Sequence, residues 1–449
     1  MTEHTFDNND DYNRRQIAKH LLTILSSDVE VSPIVIDGAW GTGKTVFCKK
    51  FMNEIVEQTS ITPVYIDAYH ADHVDEPLLT VLAAILELLP EADRTEKIKK
   101  IIPAIRYGLK TTLKAAAGHL FKQDADGLLD GFEEELKEAS KAAIDLSVEA
   151  LLKDHIEAKQ NLETLRTTLE NIASEKPMVI FVDELDRCRP SYAVTMLEII
   201  KHVFDVDNVQ FVLINNMTQL RASINHCYGS SVDAQRYLDK FVKFSVTLPS
   251  TYQSDHSGYV KSSLSHYVNL LKSKKSLLAS GIFEDGYTTI VERLINVHSL
   301  SLREIESFVR HIEIYNMVSS GYFSNRHGYL DTGITLISIY LCKFEEDIAT
   351  DILEKRLDGK KILNVFGLNQ LVTLTNAGDR PPPYQLFLSA IISSAKINND
   401  MRHGPSNNFS SVDNWEKQLG FFRSNTGYFD ESDVTNTMNY VIRKMRLYS

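Results

Sequence analysis

The sequence predicts an α/β fold in which a parallel sheet is flanked by helices, with a long helical insertion and a C-terminal helical region. Three observations lead to this prediction. Short β-branched runs alternate with helical patterns, a glycine-rich loop joins one such run to a helix, and residues 78–176 read as helix between the second run and the third. A strand, a helix and a second parallel strand in that order form a right-handed unit.

The strands and the helices between them follow in order along the first half of the chain. An amphipathic helix opens it in YNRRQIAKHLLTIL, where apolar residues recur at helical spacing. Strands are predicted for PIVIDG at 33–38 and TPVYIDAY at 62–69, with the helix TVFCKKFMNEIVEQ between them. Strands resume with MVIFVDE at 178–184, NVQFVLIN at 208–215 and KFSVTLP at 243–249. The helix SYAVTMLEIIKHVF separates the first two of these.

The domain organisation follows from where this alternation stops. We predict one domain at 1–250 that includes the helical insertion at 78–176, a helical lid domain at 251–355, and a C-terminal region of unknown role at 356–449. Within the insertion, the apolar residues of the predicted helix at 132–172 have the spacing of a helix that pairs with a neighbour. That helix could pair with another chain or pack on the domain core, and periodicity does not distinguish the two.

Composition and charge exclude several classes of protein. The hydrophobic share of 43% and charged share of 24% are typical of a globular protein, and the net charge of −12 argues against non-specific binding to nucleic acid or anionic lipid. The four cysteines form no C-x-x-C pair, which favours a reducing cytoplasm over a zinc site or a disulfide framework. The acidic N-terminus does not fit a secretory signal, and the most apolar segment, 78–90, is shorter than the ~20 residues of a membrane span.

The segment GAWGTGKT at 38–45 matches the G-x-x-x-x-G-K-[ST] pattern of a phosphate-binding loop, or Walker A motif, between a strand and a helix. Glycines let successive backbone N–H groups point at an anion, and the helix N-terminus adds a positive end. Lys44 is expected to reach the β- and γ-phosphates, and Thr45 to offer a hydroxyl to Mg²⁺. The alternative is a glycine-rich turn without a ligand. The predicted nucleotide-binding residues are Gly38, Ala39, Trp40, Gly41, Thr42, Gly43, Lys44, Thr45, Val46, Asn215 and Arg303.

Charged residues follow the strand MVIFVD, in the stretch FVDELDRCRP that carries the predicted Walker B motif. The carboxyl ends of parallel strands share one edge, so Asp183 is expected to emerge beside the loop at 38–45 and to hold Mg²⁺. Glu184 directly after it is expected to take a proton from the attacking water. Asp186 and Arg187 have no assigned task, and a solvated turn is the alternative for them.

Further candidates come from three other segments. Asn215 ends a strand next to the loop and could sense the γ-phosphate, although a polar strand end without a role is the alternative. Arg236 or Lys240, four apart on a predicted helix, could act on a neighbouring subunit as an arginine finger, or could be ordinary surface charges. Arg303 opens a predicted helix in the second domain and could bear on the nucleotide as the lid closes.

Two other segments resemble metal-binding motifs but do not fit them. HADH at 70–73 has an H-x-x-H spacing, but it has no strong third ligand, so a loop is favoured over a zinc site. DADGLLDGFEEE at 124–135 lacks the D-x-[DN]-x-[DN]-G order of a calcium loop and is interpreted as a break between two helices.

Five segments together resemble the successive motifs of the KAP family of P-loop NTPases: GAWGTGKT, VYIDAYHADHVDEPLLTVL, VIFVDELDRCRP, AQRYLDKFVKFSVTLP and SLREIESFVR. The Trp in the loop and the D-[DE]-L-D-R-C string are the most particular marks. The resemblance implies an ATPase of the additional-strand type, with Lys44 and Thr45 at phosphate and Mg²⁺, Asp183 on the metal and an acidic neighbour as the base. It also implies a helical insertion between the two Walker motifs.

The chain departs from that family pattern at three points. Many members carry transmembrane helices in the insertion, and none is predicted here. Asn215 and Asn216 stand where the family usually shows an Asp, and Tyr69 stands where a Trp is often found. The segment 320–449 resembles nothing that we can name.

These observations predict a cytoplasmic ATPase that uses ATP and Mg²⁺ and acts as a molecular switch. Its catalytic residues are expected to be Glu184, Lys44, Asp183 and Arg236, with Thr45 and Asp183 on the metal. Analogy with bacterial members of the resembled family adds a role in phage defence with a partner effector, and the chain could form a homo-oligomer. The alternatives are a nucleotide-binding scaffold that recruits a partner through the insertion and, less favoured, a nucleic-acid motor, because no basic stripe with interleaved aromatics is evident.

Overall fold

The computed structural model describes residues 5–7, 10, 12–74, 76–91, 93–102, 160, 162–254, 258–325, 327–369, 382–394 and 431–447. The chain divides into two compact units, Met1–Pro249 and Ser250–Ser449, which are taken separately below. The segment 124–135 and most of the predicted helix at 132–172 lie outside the described residues.

A parallel sheet forms the centre of the N-terminal unit. Its strands are β1 (Ile34–Asp37), β2 (Thr62–Asp67), β3 (Met178–Asp183), β4 (Val209–Asn215) and β5 (Phe244–Thr247). They lie in the order β2-β3-β4-β1-β5, and every pair of neighbours is parallel. The predicted parallel α/β sheet is therefore confirmed. An additional strand, β4, separates β1, which leads into the glycine-rich loop, from β3, which leads into the paired acids.

The register of the strands brings their carboxyl ends to one edge of the sheet. Asp37 at the end of β1 is paired in register with Asn215 of β4 and with Thr247 of β5. Asp67 at the end of β2 is paired with Asp183 of β3 in the same way. Polar side chains from all five strands thus meet at this edge, where ligands bind in open α/β sheets.

Helices cover both faces of this sheet. In the N-terminal unit they are Arg15–Leu25, Lys44–Gln58, Ala68–Ala71, Pro77–Leu86, Pro190–His202, Met217–Tyr228 and Ala234–Leu238. The opening helix begins where the Asp10 carboxylate accepts the backbone N–H groups of Arg14 and Arg15, at 2.8 and 3.0 Å. Residues 162–175 are also helical, and their apolar face packs into the core of the unit, so this part of the insertion packs on its own domain.

The third strand is buried on both faces, which fixes the position of the acids that follow it. Val179 and Phe181 pack with the helices on one face, and Ile180 and Val182 pack with those on the other. The rings of Phe181 and Phe51 meet edge to face with centroids 5.7 Å apart. A continuous apolar run is typical of such a strand, because in a parallel sheet it contacts helices on either side.

Within the described residues, the C-terminal unit is helical apart from a short hairpin and the connecting turns. Its helices are Ser262–Ser273, Asp285–His298, Leu302–Val318, Tyr329–Phe344, Glu346–Leu353, Gly359–Val365, Pro383–Ser394 and Glu431–Met445. They enclose one apolar core. None of the helices within the described ranges of the chain has the length and apolar character needed to cross a bilayer.

Two helical predictions are wrong in detail. The region from residue 252 begins with an antiparallel hairpin, β6 (Thr251–Ser254) and β7 (Gly258–Lys261), whose four-residue strands are too short for a period of two to stand out. The helix predicted to carry both Arg236 and Lys240 ends at Leu238. Lys240 lies in a turn beyond it, where the N–H of Phe241 donates to the carbonyl of Leu238 at 2.8 Å and the chain bends toward β5.

Candidate functional site

The glycine-rich loop joins β1 to the helix Lys44–Gln58 at the carboxyl edge of the sheet. Gly41 and Gly43 have φ angles of 77° and 82°, a left-handed conformation that favours glycine. A Cβ atom on Gly38 would lie 2.8 Å from the Thr42 hydroxyl oxygen, so any other residue there would force Thr42 to shift. Glycines in this conformation, followed by a helix N-terminus, are typical of loops whose backbone N–H groups bind an anion.

The Lys44 side chain is buried within this loop. Its Nζ atom donates to the carbonyl oxygens of Gly38 and Ala39, at 2.6 and 3.1 Å. Burial lowers the pKa of Lys44, and the nearby carboxylates of Asp186, Asp183 and Asp37 oppose that shift. The ammonium group therefore lies among acids at the edge of the sheet, and its bonds to two carbonyls can be exchanged for bonds to phosphate oxygens.

The Asp183 carboxylate is 1% exposed and has hydrogen-bond donors on several sides. It accepts from the Thr45 hydroxyl, from the Tyr65 hydroxyl at 3.0 Å and from the backbone N–H of Glu184 at 2.8 Å. Burial raises the pKa of Asp183, and these hydrogen bonds oppose the rise. A carboxylate and a hydroxyl side by side are hard oxygen donors of the kind that Mg²⁺ prefers, so Thr45 and Asp183 fit that ion.

Glu184 adopts an unusual backbone conformation immediately after β3. Its φ and ψ of 61° and 22° are left-handed, which costs a non-glycine residue about 1 kcal/mol or more. Its carboxylate forms an ion pair with Arg187 at 2.9 Å. Strained backbone that persists in a folded protein is common at functional sites.

The single-turn helix Leu185–Arg187 connects Glu184 to the rest of the sheet edge. The N–H of Leu185 donates to the Oδ1 atom of Asn215 at 3.1 Å, and the indole N–H of Trp40 donates to Asp186 at 2.6 Å. The amide nitrogen of Asn215 is buried and has no partner among the described residues. A buried donor left without a partner is rare, and here it lies at the strand end between the loop and the acids.

The HADH segment has a structural contact. Asp72 accepts the backbone N–H of Arg189 at 3.0 Å and pairs with its guanidinium, also at 3.0 Å. This pair ties the residues after β2 to the residues after β3. It leaves Asp72 engaged with an arginine. The loop predicted for residues 70–73 is wrong, because they lie in the short helix Ala68–Ala71 and in the 3-10 turn Asp72–Val74 that follows it.

The structure groups some predicted site residues and leaves others apart. Lys44, Thr45, Asp183 and Asn215 lie together at the sheet edge, with Glu184 adjoining them. The Arg236 side chain is 86% exposed and pairs with Asp233 at 3.3 Å. Arg303 belongs to the C-terminal unit, in the first turn of the helix Leu302–Val318, and its role stays a prediction.

Sequence reasoning missed the Tyr65 contact with Asp183. Tyr65 lies two positions before the end of β2, opposite Phe181 of β3. The alternation of TPVYID indicates on which face Tyr65 lies, but β2 and β3 are far apart in the chain, so only their pairing shows which acid the hydroxyl reaches.

A parallel sheet of this strand order, with a glycine-rich loop after β1 and paired acids after β3, defines a P-loop NTPase of the class with an additional strand. A model of the KAP family P-loop domain matches residues 14–319. The chain therefore belongs to the KAP family of P-loop NTPases, and the resemblance read from its motifs is confirmed. No curated protein gives a significant match to the chain.

Proposed function

We propose that this protein is a Mg²⁺-dependent ATPase that hydrolyses the bond between the β- and γ-phosphates. The observation that supports this best is the convergence of Lys44, Thr45 and Asp183 at one edge of the sheet, beneath a loop whose glycines allow its N–H groups to face an anion. Membership of a P-loop NTPase family supports nucleotide binding in general. The proposal goes beyond family membership in naming ATP as the nucleotide and in assigning its hydrolysis to this protein.

Each residue has a task in the proposed reaction. The loop N–H groups and Lys44 bind the phosphates, and Lys44 exchanges its carbonyl partners for phosphate oxygens. Thr45 and Asp183 would hold Mg²⁺, which would supply positive charge against the negative charge that develops on the phosphate oxygens. Glu184 accepts a proton from water positioned in line with the bond that breaks, and the buried amide of Asn215 donates to the γ-phosphate.

A nucleotide-binding scaffold with little turnover is the second candidate. The ion pair between Glu184 and Arg187 at 2.9 Å favours it, because a carboxylate held by an arginine is a weaker base. In that case the helical insertion recruits the partner. Phosphate release by wild-type protein that binds ATP distinguishes the two functions.

Nucleotide binding by Lys44 variants tests the proposal. We expect Lys44→Ala to weaken binding of a fluorescent ATP analogue roughly 10- to 100-fold, the effect of losing hydrogen bonds from a charged group to phosphate. Lys19→Ala removes an exposed lysine from the opening helix and serves as the control. Equal binding by both variants would contradict the assignment of the loop.

The finer biological role rests on family analogy. We propose a molecular switch in which the helical region at 251–355 acts as a lid, Arg303 bears on the nucleotide, and a partner effector responds, in bacterial phage defence. Phage plaque counts on bacteria that express the wild type or Lys44→Ala test this role. Equal plaque counts on the two strains would contradict the proposed role in phage defence.

A further inference from the structure

The contact between Trp40 and Asp186 joins the two segments of the proposed active site that must act together. Trp40 is in the glycine-rich loop, and Asp186 is in the turn after Glu184. The indole Nε1 donates to Asp186 Oδ2 at 2.6 Å, across 146 positions of sequence. The bond therefore links the loop that is proposed to bind phosphate to the turn Leu185–Arg187, which directly follows the proposed base Glu184.

The surroundings of Asp186 show that this bond is more than a surface contact. Asp186 is 8% exposed although it is charged, and buried carboxylates need partners. The indole N–H of Trp40 is such a partner, and it comes from the glycine-rich loop.

Three further contacts of the turn and the residues beside it end elsewhere than on the glycine-rich loop. Leu185 is fixed to Asn215 of β4, and Arg189 is fixed to Asp72 beyond β2. Arg187 pairs with Glu184 inside the turn itself. Among these contacts of the turn, only the one made by Asp186 ends on the glycine-rich loop, which is the segment that nucleotide contacts first.

We infer that Trp40 and Asp186 are positioning residues for hydrolysis: their bond holds the turn, and with it Glu184, at the correct place relative to the bound phosphates. We expect Trp40 to affect hydrolysis more than nucleotide affinity, since its single indole N–H donor is directed at Asp186. This inference rests on the proposed ATPase function. It gives Asp186 a task within that reaction.

A kinetic series tests the inference. Trp40→Phe keeps an aromatic ring but removes the indole N–H donor, and Asp186→Ala removes the carboxylate that accepts the hydrogen bond. We expect each variant to lower kcat roughly tenfold, as loss of one hydrogen bond to a charged group does, with KM nearly unchanged. The double variant should lose no more than either single variant, because the two residues act through one bond. Asp186→Asn, which keeps an acceptor oxygen, should recover part of the rate.

Controls keep the test decisive. Asp207→Ala removes an exposed carboxylate from the same unit and should leave kcat unchanged. The inference would be overturned if the decrease in kcat of the double variant were the product of the two single decreases. It would also be overturned if the variants raised KM and left kcat unchanged.

A spectroscopic measurement does not depend on turnover. The chain has two tryptophans, so in a Trp415→Phe background the emission comes from Trp40 alone. Removing the acceptor in Asp186→Ala should shift that emission in a folded protein without nucleotide. If the wild type releases no phosphate, the proposed function fails, while the shift still supports the contact between Trp40 and Asp186. An unshifted emission would show that the contact does not form and would overturn the inference.

Discussion

Asp183 shows how one buried residue depends on neighbours from distant parts of the chain. Burial raises the pKa of its carboxyl group, which disfavours the charged form that the proposed Mg²⁺ site requires. Thr45 and Tyr65 donate hydrogen bonds that counter this. Burial and the nearby Asp183 raise the pKa of Tyr65, so its phenol keeps its proton and acts as the donor at neutral pH.

Replacing Tyr65 tests this arrangement. Tyr65→Phe keeps the ring and removes the donor to Asp183, so we expect the Mg²⁺ concentration that supports half-maximal nucleotide binding to rise roughly tenfold. Tyr192→Phe is the matched control, because that hydroxyl is also in a partly buried hydrogen-bond contact, with Thr80 at 3.2 Å, away from the carboxylate. The two variants should have similar thermal stability. If Tyr65→Phe needs no more Mg²⁺ than the wild type, Tyr65 does not orient Asp183.

Prediction at the residue scale succeeds where a motif is local. Lys44 and Thr45 follow from one eight-residue pattern, and Asp183 follows from its place at the end of an apolar strand. The Trp40–Asp186 bond and the Asp72–Arg189 pair join residues more than a hundred positions apart. The local sequence around one member of each pair does not indicate the other member, so the pairs could be identified only from the fold.

At the scale of elements, the long patterns were predictable and the short ones were not. The buried strand β3 and the helix Lys44–Gln58 have enough residues to establish a period. The hairpin at 251–261 and the end of the helix Ala234–Leu238 depend on single turns. The left-handed Glu184 could not be foreseen either, because an acid has no local preference for that conformation and the contacts around it impose it.

Strand order is the element-scale result with the most consequence for function. Local patterns predict which segments are strands, and the family resemblance implies the additional-strand type. The structure confirms that arrangement, because β4 follows β3 in the chain and lies between β3 and β1 in the sheet. This order places Asn215 between the glycine-rich loop and Asp183. The proposed contact of its buried amide with the γ-phosphate follows from that position.

At the scale of the whole molecule, the exposed Arg236 raises the question of assembly. Its side chain pairs with Asp233 and is 86% exposed, which both an ordinary surface charge and a finger that acts on a neighbouring subunit would allow, so the finger stays a prediction. We expect the mass in solution to increase when Mg²⁺ and ATP are added. Arg236→Ala should bind nucleotide normally and hydrolyse it roughly a thousandfold more slowly. A mass that stays that of a monomer under both conditions would exclude a finger in trans.

The central claim is that this chain hydrolyses ATP with Glu184 as the base. The most direct measurement is phosphate release by the wild type, by Glu184→Gln and by the control Glu175→Gln, each also assayed for ATP binding. We expect all three to bind ATP, and Glu184→Gln alone to release phosphate roughly a hundredfold more slowly, or slower still. Equal rates for the three would contradict the role of Glu184, and a wild type that binds ATP without releasing phosphate would make the protein a scaffold.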